Sequence, residues 1–154
     1  MIRNPLRYNN LMKNLIPYGK HFIDQDDIDA VVDVLKFRNL TQGGAVDAFE
    51  RAVAKFVGAK YAVAMSSWTA GLHMACLAAN VNKNDNVITS PITFVATANS
   101  ILYAGSKPVF IDIDKATFNI DLNKLEAFCK NLKKNNKKIK TVIAVDYSGR
   151  PCDW

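Results

Sequence analysis

The chain has 154 residues, 49% hydrophobic and 22% charged, which is typical of one soluble globular domain or of part of a larger one. Its apolar runs, such as residues 61–65, are far shorter than the roughly 20 residues that cross a bilayer, so no membrane-spanning helix is predicted. The first residues mix basic and asparagine side chains without a continuous apolar segment. We therefore expect no signal peptide and a cytoplasmic protein.

The formal net charge of +6 raises the possibility of nucleic-acid binding, but much of it is local. A lysine-rich segment contains no aromatic residue that could stack on a base: Lys130, Lys133, Lys134, Lys137, Lys138 and Lys140. Because lysines also favour the C-terminus of a helix, we interpret this segment as a solvated helix end and expect no nucleic-acid partner. The three cysteines have no CxxC spacing, which predicts reduced thiols and no metal site.

Two amphipathic helices are predicted first. Asp24 is a capping candidate before the segment IDAVVDVLK, whose apolar residues recur at helical spacing. The turn signal TQGG at residues 41–44 separates it from a second helical segment at residues 45–59, which Gly58 can end.

Strands and helices then alternate to the end of the sequence. The predicted strands are residues 61–65, 86–89, 108–112 and 141–146, and the predicted helices between them are residues 69–79, 93–104 and 121–135. Crossover helices of this length favour a parallel sheet covered on both faces. The predicted class is α/β, and no domain boundary is indicated after about residue 18.

Ligands of open α/β sheets bind beyond the carboxyl ends of the strands, so the strand-to-helix turns are the candidate sites. The turn MSSWTAGLH, entering a helix near Thr69, can offer hydroxyl and backbone N–H groups to a phosphate, although the same pattern is more often a plain helix cap. Phe94 begins the helix after the second turn, where a lone aromatic is usually a core residue. Asp146, Tyr147 and Gly149 follow the last strand, where a polar strand end with a glycine turn is the simpler interpretation.

No catalytic set is evident from residue spacing. The histidines are His21 and His73, and no GxGxxG, GxxxxGK[ST] or HExxH motif occurs. We interpret His73, on an apolar helix, as a packing residue. Reasoning from the residues alone therefore reaches an α/β protein with one candidate anion site.

Several blocks in order carry a family resemblance. The sequence resembles the DegT/DnrJ/EryC1/StrS family of nucleotide-sugar aminotransferases in IPYGKHFIDQDDIDAVVDVLK, LTQGG, FERAVAKFVGAKYAV, SSWTAGLHMACLA, VITSPITFVATANSILYAGSKPVFIDID and NIDLNKLE. The resemblance runs from about residue 16 to residue 154. It implies the N-terminal part of the large domain of a fold-type I, pyridoxal-phosphate-dependent aminotransferase, built of βα units around a mostly parallel sheet.

The resemblance also implies a reaction and a site. Members of the family move an amino group, usually from glutamate, onto a keto carbon of a nucleotide sugar such as a UDP-sugar, with pyridoxal 5′-phosphate (PLP) as the electron sink. By motif, Thr69 and Ala70 would bind the cofactor phosphate and Phe94 would stack on the pyridine ring. A homodimer is implied as the assembly.

Two family elements have no counterpart in these residues: the acidic residue that pairs with the pyridine nitrogen and the Schiff-base lysine. The resemblance therefore implies an incomplete large domain at residues 16–154, inactive alone, with residues 1–15 as a disordered or artefactual extension and translation starting at Met1 or at Met12. Residues 61–66 would pair with a strand beyond residue 154, which predicts a partly unfolded or aggregation-prone chain.

Two local departures from the family pattern stand out. Trp68 occupies a position where the family has glycine or alanine, and an indole there is expected to crowd the phosphate turn. Gly44-Ala45 replaces the usual Pro-Lys after LTQG.

Three alternative functions remain open: a non-catalytic module that binds or dimerises with an intact paralogue, a nucleic-acid-binding protein, and a family dehydratase that uses the same cofactor without the lysine.

Overall fold

The structure is a computed structural model that describes Gly19, residues 21–135 and residues 138–154. The predicted extension at residues 1–15 and the alternative start at Met12 lie outside these residues. The chain divides into two compact units, residues 1–64 and residues 65–154. Each unit is described separately.

The first unit contains the two predicted helices, α1 (Gln25–Phe37) and α2 (Gly44–Val57). Asp24 caps α1 as predicted, because its carboxylate accepts the Asp27 N–H at 3.1 Å while the Asp27 carboxylate accepts the Asp24 N–H at 3.2 Å. Gly58 ends α2 with φ +70°, a left-handed conformation that glycine adopts without a steric penalty. Asp24 therefore begins α1 and Gly58 ends α2, as the sequence predicted.

The apolar stripes of these helices remain largely open. No residue of α1 is buried, and Val31 and Leu35 are 60% and 62% exposed. On α2, Ala54 is buried while Phe56 is 91% exposed. Periodicity thus predicted the helices correctly, but the described residues of the chain leave much of each stripe uncovered.

The predicted strand at residues 61–65 is wrong, because this segment forms no strand in the structure. Tyr61 and Val63 are 74% and 71% exposed. The Ala64 N–H donates to the Glu50 carboxylate at 2.8 Å, a side-chain contact rather than a ladder bond. An apolar run becomes a strand only where a second strand accepts its backbone hydrogen bonds, and none of the described strands pairs with this segment.

The second unit is an α/β fold, as predicted. Its elements in chain order are α3 (Trp68–Ala78), β1 (Asn86–Thr89), α4 (Val95–Tyr103), β2 (Lys107–Phe110), α5 (Leu122–Lys134), β3 (Ile139–Ile143) and a 3₁₀ turn (Tyr147–Gly149). The three strands are parallel in the order β2-β1-β3, with Ile88 of β1 opposite Val109 and Val142. The sheet therefore has three strands among the described residues, where four were predicted.

The two faces of β1 support two hydrophobic clusters, since successive residues of a strand point to opposite faces. Val87 packs with Cys76 of α3 and Ile101 of α4. Ile88 packs in the other cluster, with Ile111 and Ile120 and with partly buried side chains that include Leu125 and Phe128 of α5. Helices thus cover both faces of the sheet.

Helix α5 begins at Asp121, whose carboxylate accepts the N–H groups of Asn123 and Lys124 at 2.9 and 3.1 Å. Its last turn carries Lys133 and Lys134, both exposed, in agreement with a solvated helix end.

None of the helices in the described part of the chain is long and apolar enough to span a membrane.

Amide hydrogen exchange should distinguish β1 from residues 61–65, the segment that was predicted as a strand but forms none in the structure. We expect the β1 amides to exchange at least about a hundredfold more slowly than those of Tyr61 and Val63, because β1 is buried and paired on both sides. Exchange monitored by NMR in a single sample supplies its own control. Equal protection of the two segments would contradict this description and would indicate that residues 61–65 pair with a strand in solution.

Candidate functional site

A pocket of about 350 Å³ lies where the last residues of β3 meet the starts of α3 and α4. Its lining is Trp68, Leu72, Thr93, Phe94, Thr97, Ile143, Ala144, Val145 and Asp146. This is the carboxyl edge of the parallel sheet, the position at which ligands of open α/β sheets bind. Its volume lies within the roughly 300–1,000 Å³ typical of small-molecule sites.

The first turn presents the N-terminus of α3 beside this pocket. Ser67 caps the helix, and its hydroxyl accepts the Ala70 N–H at 3.1 Å. Thr69, the second residue of the helix, is half-buried, and no acidic residue stands in the first turn. Because free N–H groups and the helix dipole make this end partially positive, it suits an anion.

The second turn contributes an aromatic ring and two hydroxyl groups. Phe94 is the residue before α4, in extended conformation, and its side chain is 64% exposed at the pocket. The Thr93 and Thr97 hydroxyls lie one helical turn apart and hydrogen-bond to each other at 2.8 Å. Phe94 is therefore a pocket residue and not a core residue.

The third turn follows β3 and carries Asp146. One oxygen of its carboxylate accepts the Cys152 N–H at 2.8 Å, which ties the chain back towards the strand end. The buried Cys152 thiol donates to the Val145 carbonyl at 3.4 Å. Burial raises the pKa of the Cys152 thiol, and the neighbouring Asp146 carboxylate raises it further.

Asn119 holds this third turn in place. Its side chain is 6% exposed; its amide N–H₂ donates to the carbonyls of Arg150 and Pro151 at 3.0 and 3.1 Å, and its amide oxygen accepts the Tyr147 N–H at 2.9 Å. Three bonds to backbone groups from one buried side chain fix the path of residues 147–151. Asn119 thus acts on the site through the loop that carries Asp146.

An apolar groove of about 330 Å³ adjoins the pocket. The two cavities share Trp68, Leu72, Ile143 and Ala144. The groove continues along α3 and β3, past Cys76 to Trp154. Trp68 therefore borders both cavities.

Of the three predicted site residues, the structure brings Phe94 into the pocket lining. Thr69 and Ala70 stand next to Trp68 at the start of α3 and are not part of that lining. Sequence reasoning missed Thr93, Thr97 and Asn119 as contributors to the site. The i, i+4 spacing of the two threonines was available as a signal, whereas Asn119 begins the family block NIDLNKLE without any pattern that indicates its role.

His73 has the packing role predicted for it, since its ring meets Tyr103 edge-on with centroids 5.6 Å apart. The three cysteines are not joined in disulfide bonds in the structure. Across the described ranges, no group of three or more His, Cys, Asp or Glu side chains is arranged to hold a metal ion.

The sheet order, the covering helices and a pocket at the carboxyl edge define an α/β protein with a cavity of small-molecule size between βα turns. The chain belongs to the DegT/DnrJ/EryC1/StrS aminotransferase family, whose profile matches residues 21–154. The family assignment inferred from the sequence blocks is thereby confirmed.

Particular relatives share both sequence and fold. A UDP-4-amino-4,6-dideoxy-N-acetyl-beta-L-altrosamine transaminase of Campylobacter jejuni is 45% identical over 135 residues, covering 88% of this chain and 35% of that protein. The structure of Helicobacter pylori PseC, an aminotransferase involved in pseudaminic acid biosynthesis, matches with TM-score 0.76 and 36% identity over 89% of this chain and 36% of that one. The PLP-form of Spr1654 from Streptococcus pneumoniae, described as a sugar aminotransferase, matches with TM-score 0.78 and 29% identity over 90% and 34%. The chain spans about a third of the length of these relatives.

The Cys152 thiol provides a chemical probe of the third turn. Because its pKa is raised, less thiolate is present at a given pH, and we expect its alkylation by iodoacetamide to reach half-maximal rate at higher pH than that of an unstructured cysteine peptide. Asp146→Asn removes a neighbouring negative charge and should move this midpoint to lower pH, as measured by mass spectrometry of the labelled peptide. Asp153→Asn, which removes the same charge beside Cys152 in sequence, is the control and should leave the midpoint in place. Equal midpoints for all three proteins would contradict the contact with Asp146.

Proposed function

We propose that the pocket at the carboxyl edge of the sheet binds pyridoxal 5′-phosphate, and that the chain is the cofactor-binding part of an aminotransferase acting on a nucleotide sugar. The observation that carries the proposal is the convergence of Phe94 and the N-terminus of α3 on one pocket in a member of this family. An aromatic ring beside a partially positive helix end matches a ligand that joins a planar ring to a phosphate.

The donor set fits the phosphate, with one adjustment to the sequence-based expectation. The Ala70 N–H is already engaged by the Ser67 hydroxyl, so Ala70 reaches a phosphate only by sharing or releasing that bond. Thr69 offers both a backbone N–H and a hydroxyl at the second helical position. We therefore assign the larger part of phosphate binding to Thr69 and a smaller part to Ala70.

The ring of the cofactor would lie against Phe94. The Phe94 side chain is open at the pocket, so a planar ring can pack on it without displacing core residues. Bound PLP supplies an electron sink for amino transfer, while the protein supplies position and charge. The residues of this chain bind and orient the cofactor.

The proposed substrates follow from the relatives. In the complete enzyme, glutamate would give its amino group to a UDP-4-keto-6-deoxy-amino sugar, yielding 2-oxoglutarate and the amino sugar, as in the formation of pseudaminic acid precursors. The 45% identity to the Campylobacter jejuni transaminase and the likeness to PseC favour this substrate class. A cytoplasmic homodimer is proposed as the working form, with residues 16–154 as an incomplete large domain.

The lining of the pocket contains no lysine. Covalent attachment of PLP and proton transfer at its amino carbon need an amine within reach, which none of the described lining residues provides. We therefore propose that these 154 residues bind the cofactor without catalysing transamination by themselves.

Binding of pyridoxamine 5′-phosphate tests the proposal, because this form carries no aldehyde that could react with surface lysines. We expect saturable binding of one equivalent, measured by equilibrium dialysis, and roughly 10- to 100-fold weaker binding by Thr69→Val, the range for losing a hydrogen bond to a charged group. Thr41→Val, the same change at an exposed residue that precedes α2 and is not in the first turn of α3, is the matched control and should bind like the unchanged chain.

Activity should be assayed in parallel with glutamate and a UDP-4-keto sugar. We expect no formation of 2-oxoglutarate above background. Failure to bind the probe at millimolar concentration would refute the cofactor site, whereas turnover by the chain alone would refute the proposal that these residues do not catalyse transamination by themselves.

A further inference from the structure

Trp68 is a large aromatic side chain in an unusual setting. It is the first residue of α3, its side chain is 72% exposed, and it lines the same pocket as Phe94. Helix formation does not explain its presence, since Ser67 supplies the cap and any good helix former would serve at this position. An exposed tryptophan at a concave surface is typical of a binding residue.

The residues that line the pocket together with Trp68 limit the kinds of ligand that it can bind. Trp68 is the first residue of α3 and Phe94 is the residue before α4, and both border one cavity whose lining also includes Thr93, Thr97 and Asp146. A ligand that fills this cavity meets two aromatic residues and three residues with polar side chains. An aromatic heterocycle with polar substituents has this chemistry, whereas inorganic phosphate alone would use neither ring.

We propose that Trp68 is a second ring-binding residue, and that its indole contacts the aromatic ring of a phosphorylated heterocycle bound against Phe94. This inference rests on the proposed function, because the heterocycle is the pyridine of the cofactor. It reverses the expectation that an indole at this position crowds the site: the side chain lies at the border of the pocket and groove, leaving the cavity of about 350 Å³ open.

The test separates ring binding from phosphate binding. The dissociation constants of pyridoxamine 5′-phosphate and of inorganic phosphate are measured by calorimetry for the unchanged chain, Trp68→Ala, Trp68→Phe and Trp154→Ala. We expect Trp68→Ala to bind pyridoxamine 5′-phosphate about three- to tenfold more weakly, the contribution of one aromatic pair, with phosphate affinity unchanged. Trp68→Phe should recover most of the loss because it restores an aromatic surface.

Trp154→Ala is the matched control, since Trp154 lines the adjoining groove and not the pocket. It should leave both affinities unchanged. Far-ultraviolet circular dichroism verifies that each variant keeps its helices. We expect the helices to be kept because both indoles are exposed and their removal leaves no cavity in the core.

The possible failures are distinct. If the unchanged chain does not bind pyridoxamine 5′-phosphate, the proposed function and the role of Trp68 are both overturned. If it binds the probe and Trp68→Ala binds equally or more tightly, the role of Trp68 is overturned while the cofactor site stands. If Trp68→Ala loses affinity for phosphate and probe in equal measure, the indole supports the helix end and does not bind the ring.

Discussion

The central strand β1 is the element on which the second unit depends. Val87, Ile88 and Thr89 are completely buried, and both neighbouring strands pair with β1 in parallel. A parallel strand buried on both faces must be covered by helices on both sides, and the two hydrophobic clusters meet this need through α3 and α4 on one face and α5 on the other. The arrangement of the helices around the site therefore follows from the burial of one four-residue strand.

The carboxyl edge of the sheet is held by side-chain bonds as well as by the ladder. The Thr89 hydroxyl donates to the Ile143 carbonyl at 2.9 Å, which joins the ends of β1 and β3 where the pocket begins. Asn119 fixes the turn that follows Asp146. Removal of the Asn119 side chain would leave three backbone groups of this turn without their hydrogen-bond partner. A buried polar side chain of this kind contributes to the site without touching a ligand.

Much of the second unit was predictable from sequence because its signals are local. Periodicity and caps located α5 at Asp121 and the strand at residues 86–89, whereas Phe94 was indicated as a site residue by the family motif and not by the turn pattern alone. Residues 61–65 were misassigned because a strand is a property of two segments, and the sequence pattern shows one of them. Asn119 was missed because its partners, residues 147–151, become neighbours through tertiary folding alone.

The Ser67 cap shows how local stability and ligand binding meet at one helix end. By accepting the Ala70 N–H, the hydroxyl satisfies one donor of the first turn and keeps α3 formed up to Trp68. A phosphate arriving at this end would find the backbone oriented beforehand, so little conformational entropy is lost on binding. One N–H is already engaged by this bond, so under the proposed function phosphate recognition would depend more on Thr69 than on Ala70. Because Trp68 lies between Ser67 and Thr69, the same short turn that would bind the phosphate also sets where the indole borders the pocket.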